Sequence, residues 1–344
     1  MDTCPDTSAP ETETDPTTYE GEPDTRQPVT SIIAIVLLAA LGAAYLMRVW
    51  FHTADQLSTV SEDLYAFEIA GFLTRGFIPV AVGFLCAIVL FFGKEAARVG
   101  VLAVSGALLF SEVNSLPTNF TNVLLPMGTG QPGYLMVDLV IVAFAIAVSV
   151  LLTLGPVSRW LRAQRKTRRP YPDSDTHSTI DSTPEIRPGW IIIVAILLGL
   201  IALTQIIYFA IWTATSTNGM APASIGIFTV SQIVIILSIV VSAFLTYLGV
   251  AGGRTLAIAV SGNAILVSLA LLGTFLTVPA DDPNPTDLAI QGSLAAANTL
   301  SAAAGIVTLV LLSGRQCVDW FYVKKSSEPE AEAEPIPAQT STPS

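Results

Sequence analysis

The chain has 344 residues, of which 52% are hydrophobic and 12% charged, with a mean hydropathy of +0.63. That balance excludes a soluble globular domain and a disordered chain, and recurring apolar blocks of about twenty residues mark a polytopic membrane protein. The formal charge of -11 arises from 27 acids against 16 bases, with the acids gathered in tails and loops, so no nucleic-acid partner is expected.

The first thirty residues carry eight acids and one base, Arg26. A secretory signal opens on a basic segment, so the first apolar run reads as a retained anchor and residues 1–30 as an acidic, Thr/Pro/Glu-rich tail with too few apolar residues to fold. Eight apolar runs come next, over residues 31–51, 66–92, 99–115, 134–155, 190–213, 223–250, 255–279 and 293–313. At 1.5 Å per residue each falls within the length that can cross about 30 Å of hydrocarbon, the third, of 17 residues, being the shortest. The runs are continuous rather than alternating, which predicts helices and excludes barrel strands. The third run contains Glu112, and the intervening segments 52–65, 114–133, 214–222 and 280–292 read as short loops.

Lys and Arg resist translocation, whereas Asp and Glu contribute little to orientation. With the N-terminus inside, fourteen of the sixteen bases fall on the cytoplasmic side; the exceptions are Arg48 and Arg75, whose stems can snorkel to headgroups. The expectation is an all-α protein with both termini cytoplasmic. Ala-rich helices, twelve Arg against four Lys and acidic ends suggest a bacterial cytoplasmic membrane.

The chain also resembles itself. Arg98 is followed by Ala103, Val104, Ser105 and Gly106 at the spacing with which Arg254 is followed by Ala259, Val260, Ser261 and Gly262. Arg26 and Pro28 lead into Ile32, Ile33, Leu37 and Leu38, as Arg187 and Pro188 lead into Ile192, Ile193, Leu197 and Leu198, and Trp160 and Trp320 come after the fourth and eighth runs. The prediction is two tandem parallel four-helix repeats, residues 31–157 and 190–314, related by a pseudo-two-fold along the membrane normal. Arg98 and Arg254 read as cytoplasmic anchors within reach of lipid phosphate, and Gly106 and Gly262 as positions of close helix approach at the repeat interface.

Between the repeats, residues 158–189 form a cytoplasmic linker, basic at first and then Pro/Ser/Asp-rich. Its bases Arg159, Arg162, Arg165, Lys166, Arg168 and Arg169 are expected to contact anionic lipid headgroups. Residues 315–344 form a second cytoplasmic tail, disordered after 325.

The halves differ in charge. The first has Arg48, Glu68, Arg75, Glu112 and Asp138 at or near helix ends, where the second has Tyr208, Ser224, Ser231, Ser268 and Asn298. Two readings are open: an outward-facing polar pocket in which Arg48 and Arg75 offer cationic forks to a carboxylate, phosphate or headgroup, or interfacial charges that snorkel and pair among themselves. Pro79 has no counterpart in the second half and is placed to kink its helix.

Cys4, Cys86 and Cys317 are far apart and the only histidines are His52 and His177, so neither a disulfide framework nor a metal site is expected. The chain carries no Walker A sequence, His-Glu-x-x-His helix or Gly-x-Ser-x-Gly elbow, and no cofactor is implied. The expected function is a non-enzymatic structural or accessory subunit that packs with another membrane protein; the alternative is a small-molecule or lipid carrier with its site in the first repeat.

Overall fold

The computed structural model describes residues 27–59, 65–124, 132–168, 189–216, 222–277 and 285–314, together with Cys317, Trp320 and Phe321. Every element among them is helical: α1 (Val29–Thr59), α2 (Tyr65–Phe72), a π-helical turn (Leu73–Phe77), α3 (Ile78–Phe91), α4 (Glu95–Leu124), α5 (Pro132–Thr153), α6 (Gly155–Arg168), α7 (Gly189–Ser216), α8 (Pro222–Leu248), α9 (Ala251–Thr277) and α10 (Pro285–Ser313). Eight helical spans are long and apolar enough to cross a membrane, with α2, the π turn and α3 together providing the second. A chain in hydrocarbon must satisfy its backbone internally, and a continuous helix does so.

Several helices outrun their apolar segments. The α1 helix continues to Thr59, α4 to Leu124 and α7 to Ser216, and α10 begins at Pro285, so parts of all four segments read from the sequence as loops are helical. Hydropathy marks where hydrocarbon ends, whereas the hydrogen-bond ladder continues as long as the residues tolerate it, and proline is well suited to a first helical position. The basic part of the linker is also ordered, as α6, with Val157, Trp160 and Leu161 buried on one face and Arg159 exposed.

The second span is interrupted where Pro79 lacks an N–H. Just before it, the ladder widens from i→i+4 to i→i+5 over Leu73–Phe77, and the Ile78 N–H donates to the Leu73 carbonyl.

The helices form two rings. In the first, α1, α3, α4 and α5 each pack on their neighbours and α5 closes back on α1; in the second, α7, α8, α9 and α10 do the same. The rings meet along α4 and α9. Of the most apolar window in each of these two helices 61% is buried, against 28–39% in the other six spans, which makes them the centre of the molecule.

Small residues allow that contact. A Cβ added to Gly106 would overlap the Cα and Cβ of Ala259, and one added to Gly262 would overlap the backbone carbonyl of Ala103. Two backbones meet where only hydrogen fits. Helices α3 and α8 end on glycines in the left-handed region, Gly93 (φ 69°) and Gly249 (φ 77°). At Gly249 the turn is a Schellman motif, with the Gly249 N–H on the Thr246 carbonyl (3.0 Å) and the Val250 N–H on the Leu245 carbonyl (3.0 Å). A tryptophan lies against each glycine, Trp160 at Gly93 and Trp320 at Gly249. Nearby, burial pushes the Cys317 thiol up to about 11 against the opposing pull of Arg254, so little of it is thiolate at neutral pH.

Replacing Gly106 or Gly262 with Val is expected to cost about 1–3 kcal/mol or more through overpacking. The replacement should lower the thermal transition of the protein in nanodiscs. Gly199→Ala, at a helical site with nothing near its missing Cβ, is the control, and it should leave the transition unchanged or raise it.

Candidate functional site

One of two three-residue clusters of ionisable side chains within the described spans is built by α1, α4 and α5. Arg48, near the end of the apolar part of α1, directs its Nε at Glu112 Oε2 of α4 (3.1 Å) and at Asp138 Oδ1 of α5, to which it donates a hydrogen bond. Its Nη2 donates to Ser115 Oγ (2.9 Å), and Ser115 Oγ lies 3.2 Å from Glu112 Oε2. Glu112 and Ser115 are three residues apart on one helix and therefore share a face. Nearby, the Tyr45 hydroxyl lies 3.5 Å from Ser111 Oγ across the α1–α4 contact.

Glu112 and Asp138 are fully buried and the Arg48 side chain is 16% exposed. Charge-assisted bonds to a guanidinium are strong, and in a medium that solvates ions poorly each carboxylate depends on this one cation. The cluster ties three helices together. Arg48 is therefore engaged within the protein instead of offering an open fork to a ligand.

Arg75 does not join this cluster. It sits in the π turn with its side chain exposed, within electrostatic reach of Tyr45 and of Tyr208 on α7. The Glu68 side chain lies outside the described residues, although its backbone belongs to α2. Of the five charged residues in the first half, the structure thus brings together Arg48, Glu112 and Asp138.

In the second ring, α9 and α10 meet through neutral groups. Ser268 Oγ on α9 lies 2.7 Å from the Asn298 carbonyl of α10 and 2.7 Å from the Ala264 carbonyl of its own helix, where a hydroxyl donates. The two rings also share a polar contact: Gln232 Nε2 on α8 donates to Asn114 Oδ1 on α4 (2.7 Å), and Ser231 Oγ approaches the Val113 carbonyl (3.3 Å). Asn114 and Ser115 are not among the residues that the sequence marks as a site. Their signal is the polar run Ser111, Glu112, Asn114, Ser115 closing an otherwise apolar span.

At the opposite end of the bundle Arg98 and Arg254 are buried, 6% and 7% exposed, rather than extended towards lipid. Both face one carboxylate, Glu95: Arg98 Nη1 lies 3.3 Å and Arg254 Nη2 3.6 Å from Glu95 Oε1. Arg254 also donates from Nε and Nη2 to the Leu312 carbonyl at the end of α10 (3.2 and 3.0 Å). Glu95, three residues before Arg98, is silent in the sequence because the second half has Ala251 at the matching place. Gly106 and Gly262 lie in the α4–α9 contact. Of the linker bases, Arg159 is exposed on α6; the side chains of Arg162, Arg165, Lys166 and Arg168, and Arg169 as a whole, lie outside the described residues.

Comparison with protein-family models, with curated proteins and with solved structures finds no match to this chain.

Arg48→Leu removes the cation shared by two buried carboxyl groups, and the expected loss is about 3–5 kcal/mol. The triple variant Arg48→Leu, Glu112→Leu, Asp138→Leu removes the charges together and should recover most of that loss. Thermal unfolding and monodispersity in the same nanodiscs measure both; equal destabilisation of the single and triple variants would show that the ion cluster is not the tie described.

Proposed function

We propose that this chain is a non-enzymatic, multi-pass structural or accessory subunit of a bacterial cytoplasmic membrane, built from a duplicated four-helix unit and packing with another membrane protein. The observation that carries the reading is the closure of the Arg48–Glu112–Asp138 cluster on its own residues, which commits the main intramembrane charges to joining helices. The seam between the rings, with backbone against backbone at Gly106 and Gly262, favours a fixed platform over halves that rock apart.

The duplication is supported by paired features at one spacing. Gly93 and Gly249 turn the chain, Arg98 and Arg254 share Glu95, and Gly106 meets Ala259 where Gly262 meets Ala103. Such a reciprocal exchange of partners is the signature of an isologous two-fold contact, here within one chain. The positive-inside bias supports cytoplasmic termini, a cytoplasmic α6 and an inner-leaflet position for Arg98 and Arg254.

A second reading, a carrier with an outward-facing polar site, is favoured by Arg75 alone, because that arginine is exposed in a π turn and such turns are frequent at functional sites. Purification in lipid nanodiscs followed by mass spectrometry of everything retained distinguishes the two. A stoichiometric membrane protein, kept by wild type and by Arg75→Leu, is the expected result. A small anion or lipid held by wild type and lost from Arg75→Leu, with no protein partner, would overturn the subunit reading. For the orientation, single cysteines placed in residues 1–26 and in residues 330–344 of a cysteine-free background should both be shielded from an impermeant maleimide in intact cells; labelling of either would reverse or break the proposed topology.

A further inference from the structure

The two rings do not meet symmetrically. Helix α10 packs directly on α4, but among the described residues α5 makes no comparable contact with α9. The space left on that side is a cleft of about 610 Å³ bounded by α4, α9, the end of α5 and the start of α6. Along α4 its lining runs from Glu95 to Phe110, about 22 Å at 1.5 Å per residue, which is deeper than half of a roughly 30 Å hydrocarbon core.

The chemistry of the cleft changes along its length. One end holds Arg98, Arg159 and Arg254 against the single carboxylate of Glu95, a formal excess of two positive charges. The shaft beyond is walled largely by Leu102, Leu109, Phe110 and Ile258. Arg159 is exposed on its amphipathic helix, and a guanidinium matches phosphate oxygens in a fork. Basic side chains are attracted to an anionic membrane surface, and small residues at Gly106 and Ala259 keep the floor of the shaft free of bulk.

We propose that this cleft binds one anionic phospholipid, its phosphate at Arg159 within the positive field of the buried Arg98 and Arg254 and an acyl chain in the shaft along α4. With the termini cytoplasmic, the lipid comes from the inner leaflet. The inference goes beyond the subunit reading, since it needs no protein partner. The acidic tails of the chain match the charge of the mouth but lack the apolar residues that the shaft requires, which favours lipid as the occupant.

Native mass spectrometry of the full chain released from nanodiscs tests this, with phosphatidylglycerol and phosphatidylcholine as the probe lipids. The wild type is expected to retain one phosphatidylglycerol and to prefer it over phosphatidylcholine. Arg159→Gln, at an exposed position, should weaken retention about fivefold, the equivalent of ~1 kcal/mol for one basic side chain at an anionic surface. Thr153→Phe, at an exposed residue lining the cleft, should abolish retention by filling the shaft while leaving the thermal transition of lipid-stripped protein unchanged. Equal retention of the two lipids, or retention indifferent to both variants, overturns the proposal. So does loss of all preference when inorganic phosphate alone, at millimolar concentration, displaces the lipid, since that would assign the mouth to a free anion.

Discussion

The architecture depends on the direct contact between α4 and α9. Within a bilayer the lipid tails are as apolar as the helices, so no hydrophobic force drives one helix onto another, and association rests on dispersion at close range and on hydrogen bonds. Gly106 and Gly262 bring two backbones together at the centre of the molecule, and the rest is arranged around that approach. Each central helix carries its own ring of neighbours. The turns that lead into α4 and α9, at Gly93 and Gly249, fix where each enters, and Trp160 and Trp320 cover those turns.

Charge reinforces the seam at one end and the first ring at the other, with opposite arithmetic. Two arginines share the carboxylate of Glu95, whereas two carboxylates share the guanidinium of Arg48. Isolated ions would not be tolerated in hydrocarbon, and each cluster joins more than one packed helix: α4 and α9 around Glu95, and α1, α4 and α5 around Arg48. In the second ring the corresponding contact, Ser268 with Asn298, needs no charge. One ring thus closes its inner contact with charge and the other with neutral groups.

Much of this is legible in the sequence, and the remainder is hidden for identifiable causes. The eight spans can be read from length and hydropathy, and Ala103, Gly106, Ala259 and Gly262 announce the close approach through residue size alone. Helix ends are harder to read, as at α4, where polar residues up to Leu124 extend the helix beyond its apolar run. The inward turn of Arg98 and Arg254 is hidden because composition places a basic residue at a membrane edge without saying which way it points; the direction is set by Glu95, on a neighbouring turn of one helix and across the seam from the other. For the same reason the five charges of the first half can be named from the sequence but not paired. Arg48, Glu112 and Asp138 are joined by tertiary packing of three helices, while Arg75 is set apart by a local change of helical pitch.

That change of pitch has a geometric effect on the whole second span. An α-helix of unbroken period presents one stripe to one neighbour, but a π turn takes in roughly one extra residue and rotates the segment before it by about 100° relative to the segment after it. The two ends of the span are accordingly out of phase. Beyond the turn α3 faces α4 within its own ring, while before it α2 reaches across to α9 of the other ring. Packed along its length on α1, a single membrane crossing thereby also serves α4 at one end and α9 at the other, and the stagger between them is fixed by the one place in the helix where proline leaves the backbone a bond short.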